Sequence, residues 1–228
     1  MALILTFKHP PIDLIFPSEY AFEQIDDLTY KLVSKANEEP ITSINERAFY
    51  NCPSLESIVI PDSVLSIDDS AFYNCKSLES VVIPNSINTI NDCAFTYCTS
   101  LKSVVIPNSI NTINDYAFAK CTSLESVIIS DSVNTIGKDA FFQCTSLKSV
   151  VIPDSVKTID NYAFAYCESL ESVVIPDSVI SIQKDVFLEC PSLKIITING
   201  QTTEYLEKYF ETNYPEIDLE FPDQYLLK

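Results

Sequence analysis

Glycine is nearly missing from this 228-residue chain, which has two copies, and tryptophan is missing altogether. So few glycines leave no phosphate-cradling loop and no flexible glycine linker. Methionine and histidine occur once each. The single histidine, His9, stands in a predicted turn before Pro10 and Pro11, so no Ser-His or Cys-His catalytic pair can be assembled along the rest of the chain. No Cys-x-x-Cys occurs beside that lone histidine, which leaves zinc without a ligand set. No metal or other cofactor is expected.

Basic residues are also scarce: 14 Lys and Arg face 32 Asp and Glu, for a net charge of −18. Nucleic acids and anionic membrane surfaces both require a basic footprint, so neither is a partner by charge. Protein partners should be neutral or basic. The apolar start Met-Ala-Leu-Ile-Leu-Thr-Phe is too short to span a bilayer and lacks the basic residues that open a signal peptide, so it reads as a strand. No Asn-x-Ser/Thr sequon occurs. These features point to a cytoplasmic protein without membrane insertion.

What the chain has in abundance is one pattern. Cys52, Cys75, Cys98, Cys121, Cys144, Cys167 and Cys190 recur every 23 residues without an insertion. An Ala-Phe pair keeps the same register from Ala48 and Phe49 to Ala163 and Phe164, and becomes Val186 and Phe187 in the last copy. Each cysteine is followed three residues later by leucine, then by alternating aliphatics such as Val81 and Ile83, and at most copies by proline. A fixed period of this size is the mark of a solenoid, in which no unit buries its apolar face alone.

Within a unit, the alternation of Ile58 and Ile60 around Val59 has the two-residue period of a short strand, stopped by Pro61. Ala71, Phe72 and Cys75 have the spacing of one face of a helical turn, with Asp69, Asp92 and Asp115 near its start in successive copies. Between strand and turn lies the column Asn45, Asp68, Asn91, Asn114, Gly137, Asp160 and Gln183. Six of its seven residues tolerate a left-handed backbone, so a positive φ is expected there.

The consensus LxSVVIPxSVxxIxxxAFxxCxS, running from about Ile41 to Ile198, resembles the BspA-like, Treponema pallidum-type leucine-rich repeat. The resemblance implies an α/β solenoid: a right-handed superhelix with a parallel β-sheet on the concave face and short helical turns on the convex face. It implies a protein-binding module, with surface antigens and adhesion proteins among its relatives, and so sets a cell-surface location beside the cytoplasmic one. The glycine usual after the second isoleucine survives here only as Gly137.

Seven 23-residue repeats are expected over residues 38–200, between an N-terminal cap at 1–37 and a C-terminal cap at 201–228. The first cap reads as two strands, Leu3 to Phe7 and Ile12 to Phe16, then a helix from Ser18 to Ala36 with Phe22, Ile25, Leu28, Leu32 and Val33 on one face. The second reads as a helix from Thr203 to Glu211 that buries Tyr205, Leu206, Tyr209 and Phe210, followed by a degenerate eighth rung. Ile12 to Tyr20 and Ile217 to Tyr225 share I-D-L-x-F-P-x-x-Y, either as two cap strands cut to one template or as matching ends through which solenoids pair.

The seven periodic cysteines fall in the inward column and read as buried thiols, although adjacent rungs lie close enough for a disulfide. Cys93 falls in the mixed column Arg47, Ser70, Tyr116, Asp139, Tyr162 and Asp185, and is expected to be the accessible thiol.

Alternation also predicts the outward columns of the concave sheet. Val59, Val82, Val105, Ile128, Val151 and Val174, with Thr197, form an apolar stripe, and serines from Ser57 to Ser172 run beside it. At the strand edge stand Glu56, Glu79, Lys102, Glu125, Lys148, Glu171 and Lys194, a ladder mostly of opposite charges. The stripe is either a binding surface or the β-propensity of valine in a copied unit. The expected function is a non-enzymatic protein-binding module; the alternative is a structural subunit that self-associates through its caps or the Val stripe. Paired carboxylates such as Asp68 and Asp69 read as solvated turn residues.

Overall fold

The computed structural model describes residues 3–8, 20–26, 29–34, 40–199 and 204–220. Over 40–199 the backbone winds into stacked coils whose residues align with an offset of 23: Ser57 faces Ser80, Ile58 faces Val81 and Val59 faces Val82, all parallel. The concave strands are short, and those at Ser80–Val82, Ser103–Val105, Ser126–Ile128 and Ser149–Val151 share an exposed-buried-exposed pattern that follows from side chains alternating across a strand. Past the strand, the Ile87 N–H bonds to the Pro84 carbonyl and turns the chain.

A second, two-residue strand follows in each coil, such as Ser66–Ile67 and Thr89–Ile90, and these pair in parallel into two narrow sheets, one from Ser43–Ile44 to Thr89–Ile90 and one from Thr112–Ile113 to Ser181–Ile182. The concave ladder is continuous from Ser149–Val151 to Asp218–Glu220 but open between Ser80–Val82 and Ser103–Val105 and between Ser126–Ile128 and Ser149–Val151.

The convex side corrects the expectation of helical turns: the Ala-Phe-Cys segments are turns, not helix. Their N–H groups divide between two destinations. Ser70, Phe72 and Asn74 donate to Asp92, Ala94 and Thr96 of the next coil, while Ala71, Tyr73 and Cys75 bond back three residues to Asp68, Ser70 and Phe72. Left-handed residues make this alternation: φ lies between 54° and 64° in the column of Arg47, Ser70 and Cys93 and again in that of Asn51, Asn74 and Tyr97. The positive φ therefore stands two and six residues beyond the Asn45 column where it was expected. No glycine supports it at those positions, so the inter-coil hydrogen bonds must offset its steric cost.

The core is one continuous cluster. At its centre Phe49, Phe72, Phe95, Phe118, Phe141, Phe164 and Phe187 stack ring on ring at 5.0 to 5.8 Å between centroids. Stacked rings at this spacing add a specific attraction to the area that they bury.

At the N-terminal end, β1 (Leu3–Phe7) lies antiparallel to Leu55–Val59, with Leu5 and Phe7 fully buried. The expected helix from Ser18 to Ala36 is replaced, in the described residues, by two strands, β2 (Tyr20–Gln24) and β3 (Thr29–Ser34). They pair antiparallel with each other, and β3 pairs with β1. The reason is the sheet edge: β1 exposes a row of backbone donors and acceptors that a strand can satisfy and a helix cannot. The expected strand Ile12 to Phe16 lies outside the described residues.

At the other end, α1 (Glu204–Asn213) buries Leu206 and Phe210, whereas Tyr209 is half-buried and Tyr205 remains 42% exposed, contrary to expectation. The tyrosines serve the backbone instead. Tyr205 Oη accepts from the Ile182 N–H and donates to the Ile182 carbonyl, and Tyr214 Oη accepts from the Phe187 N–H. Asp218–Glu220 then pairs in parallel with Ile195–Asn199 at the same 23-residue offset.

Candidate functional site

The outward column of the concave sheet lies where the alternation places it. Val59, Val82, Val105, Ile128 and Val151 are exposed by 53, 70, 54, 62 and 62% on neighbouring strands, and Val174 and Thr197 are half-buried. Parallel pairing sets Val59 against Val82 and Ile128 against Val105, so the apolar side chains form a row rather than scattered points. The serines beside them are exposed from Ser80 to Ser149.

The charged edge column is only partly joined. Lys102 Nζ meets Glu79 Oε2 at 2.8 Å, and among the described residues this is the one pair of Glu56, Glu79, Lys102, Glu125, Lys148, Glu171 and Lys194 within salt-bridge reach. Lys102 holds the Glu79 carboxyl below its usual range, first by hydrogen bonding and then by charge. Both groups are exposed, so the pair contributes little to stability.

On the opposite side of the stripe a groove of about 1060 Å³ opens over Val82, Val105 and Ile128. Its wall is the residue that follows each proline position: Asp62, Asn85, Asn108 and Asp131, all exposed. This column was overlooked in the sequence because a polar residue after proline reads as ordinary turn chemistry.

The periodic cysteines are free thiols, buried in the core from Cys52 to Cys167 and half-buried at Cys190. Six of them donate Sγ–H to the phenylalanine carbonyl 26 residues earlier, from Cys75 to Phe49 at 3.1 Å through Cys190 to Phe164 at 3.1 Å. Burial pushes the thiols of Cys52 and Cys121 up to about 12. Cys93 is half-buried rather than freely accessible, and burial followed by nearby Asp92, Asp69 and Asp115 raises its thiol, against a hydrogen bond from Thr96.

Among the described residues no group of His, Cys, Asp and Glu is arranged to hold a metal ion. Asp68 Oδ2 accepts from the Ser43 hydroxyl. His9 lies outside the described residues. Within the described residues no helix is long and apolar enough to cross a membrane.

The sequence profile of the BspA type leucine-rich repeat region matches residues 17–148 and 135–225, in six copies. The chain belongs to this family. Leucine-rich repeats serve generally as binding or scaffolding modules.

Solved structures agree with the fold. A leucine-rich repeat protein from Bacteroides ovatus is 30% identical with a TM-score of 0.70, over 81% of this chain and 47% of that one. A leucine-rich cell surface protein from Faecalibacterium prausnitzii is 31% identical with a TM-score of 0.65, over 81% of this chain and 54% of that one. This chain thus spans about half the length of those two proteins. A leucine-rich repeat protein from T. pallidum is 25% identical with a TM-score of 0.67, over 90% of this chain and 97% of its own. No protein of curated function matches.

Proposed function

We propose that this chain is a non-enzymatic module that binds a protein partner across its concave face, with the stripe Val59, Val82, Val105, Ile128, Val151 and Val174 as the contact. The supporting observation is the row of five aliphatic side chains, each more than half exposed, on adjacent strands. Keeping contiguous apolar surface in water is unfavourable by roughly 25 cal/mol per Å², and contiguous patches mark contact surfaces. With a net charge of −18, the favoured partner is neutral or basic. The charged edge column then sets register more than affinity.

Display at a cell surface and adhesion are the finer form of this reading. Surface display draws support from the family and from the F. prausnitzii relative, a cell surface protein.

The test is selection of peptides from a displayed random library on the wild-type chain, with a Val105→Lys/Val151→Lys double variant as the counter-target. Enriched peptides that bind wild type and not the variant are the expected result. Peptides that bind both equally, or no enrichment, would overturn the stripe as a binding surface. Light scattering on the same two proteins separates self-assembly: mass that grows with concentration in wild type alone would make a second copy of the chain the partner.

A further inference from the structure

We infer that the groove beside the stripe takes an extended peptide segment carrying two basic side chains four residues apart, with an apolar side chain midway between them. This rests on the concave face being protein-binding and names the chemistry of the partner.

The floor and wall of the groove differ in kind. Val82, Val105 and Ile128 line it with exposed aliphatic surface. Asp62, Asn85, Asn108 and Asp131 line the wall, and none of the four side chains makes a hydrogen bond or ion pair within the protein among the described residues. The order of the wall is carboxylate, amide, amide, carboxylate, one per coil.

Each group selects a different part of a bound chain. Asparagine amides both donate and accept, so Asn85 and Asn108 can meet the N–H and C=O groups of a backbone that runs along the stack. Carboxylates only accept, so Asp62 and Asp131 call for ammonium or guanidinium groups. Three coil spacings of about 4.8 Å put those carboxylates about 14 Å apart, and four residues of extended chain span about 13–14 Å. In an extended segment, residues at positions one, three and five share a face, so the middle side chain falls on the aliphatic floor.

The protein's own bonding leaves groups unpaired along this wall. The concave ladder is open between Ser80–Val82 and Ser103–Val105, as it is again between Ser126–Ile128 and Ser149–Val151. Ser63, Ser109 and Ser132 each donate to a carbonyl of the preceding coil, yet the buried Oγ of Ser86, on the groove wall, has no partner.

The experiment titrates labelled Lys-Ser-Leu-Ser-Lys and Glu-Ser-Leu-Ser-Glu peptides against the full chain at low salt by fluorescence anisotropy. It uses wild type, an Asp62→Asn/Asp131→Asn variant, and a Glu211→Gln/Glu216→Gln control with the same charge change away from the groove. The basic peptide should bind about tenfold tighter than the acidic one to wild type and control, and that preference should fall to about threefold or less in the Asp62→Asn/Asp131→Asn variant. An equal fall in the control would assign the preference to net charge and overturn the groove. Absence of any preference in wild type would overturn it as well. A retained loss of library-selected peptides in Val105→Lys/Val151→Lys would then leave the stripe standing while the basic segment falls.

Discussion

The thiol of Cys98 donates to the carbonyl oxygen of Phe72, 26 residues earlier, at 3.3 Å in a fully buried setting. Cys121 repeats the arrangement with Phe95 at 3.2 Å. The cysteine column therefore joins adjacent coils as well as filling the core. Cys121→Ala removes the sulfur and leaves the Phe95 carbonyl without this donor, and should cost about 1–3 kcal/mol, read from the urea midpoint. An unchanged midpoint would show that the thiol bond contributes nothing.

These thiols also make stability fall in alkali. Folding raises Cys52 and Cys121 from 9.0 to about 12 and Cys190 to about 11, in each case chiefly through burial. Between those limits the unfolded chain has lost thiol protons that the folded chain retains. The thiol contribution to stability is complete below about pH 9 and declines as pH rises toward about 12. Urea titrations at about pH 8 and about pH 10.5 should show the decline, and it should be smaller in Cys121→Ala. An equal decline in both proteins would assign it to other groups.

Gly137 is a matter of room rather than of backbone angle. A Cβ placed there would stand 2.7 Å from Asp115 Oδ1 and 2.8 Å from the Ile113 carbonyl oxygen. Asp115 cannot swing aside freely, because the same oxygen accepts from the Lys138 N–H at 2.8 Å. Gly137→Ala should therefore destabilise by about 1–3 kcal/mol, in the range of overpacking. A gain in thermal midpoint would mean that the coil relaxes at no cost.

At the C-terminal end, Tyr214→Phe deprives the Phe187 N–H of its acceptor, and Tyr205→Phe removes both bonds to Ile182. Each should cost about 1 kcal/mol or somewhat more. Hydrogen exchange at the Ile182 and Phe187 amides should quicken while that at Phe118 is unaffected. Uniform quickening would instead mark a global loss of stability.

The stacked coils were legible because one spacing governs every column: Cys98, Phe95 and Leu101 reappear 23 residues on as Cys121, Phe118 and Leu124. The outward stripe followed from the same register. The N-terminal hairpin was not legible, because Phe22, Ile25, Leu28, Leu32 and Val33 suit a helix locally while the strand edge of β1 decides otherwise through pairing distant in sequence. Nor were the left-handed positions, since Arg47, Cys93 and Tyr116 carry no backbone signal and hold φ near 57° through bonds to the next coil. The groove wall was hidden for a related reason: Asp62 and Asn85 acquire meaning only when stacking sets them side by side over the stripe.

The most direct measurement is a lysine scan of exposed aliphatics against a library-selected peptide. Val82→Lys, Val105→Lys and Val151→Lys test the concave stripe, while Leu65→Lys and Ile180→Lys, at 47 and 71% exposure in the wild type, test aliphatics outside it. The predicted result is a loss of about tenfold or more in affinity for each stripe variant and less than about twofold for the two others. Equal losses at Leu65 and Ile180, or full affinity with lysine at Val105, would contradict a binding face on the concave sheet.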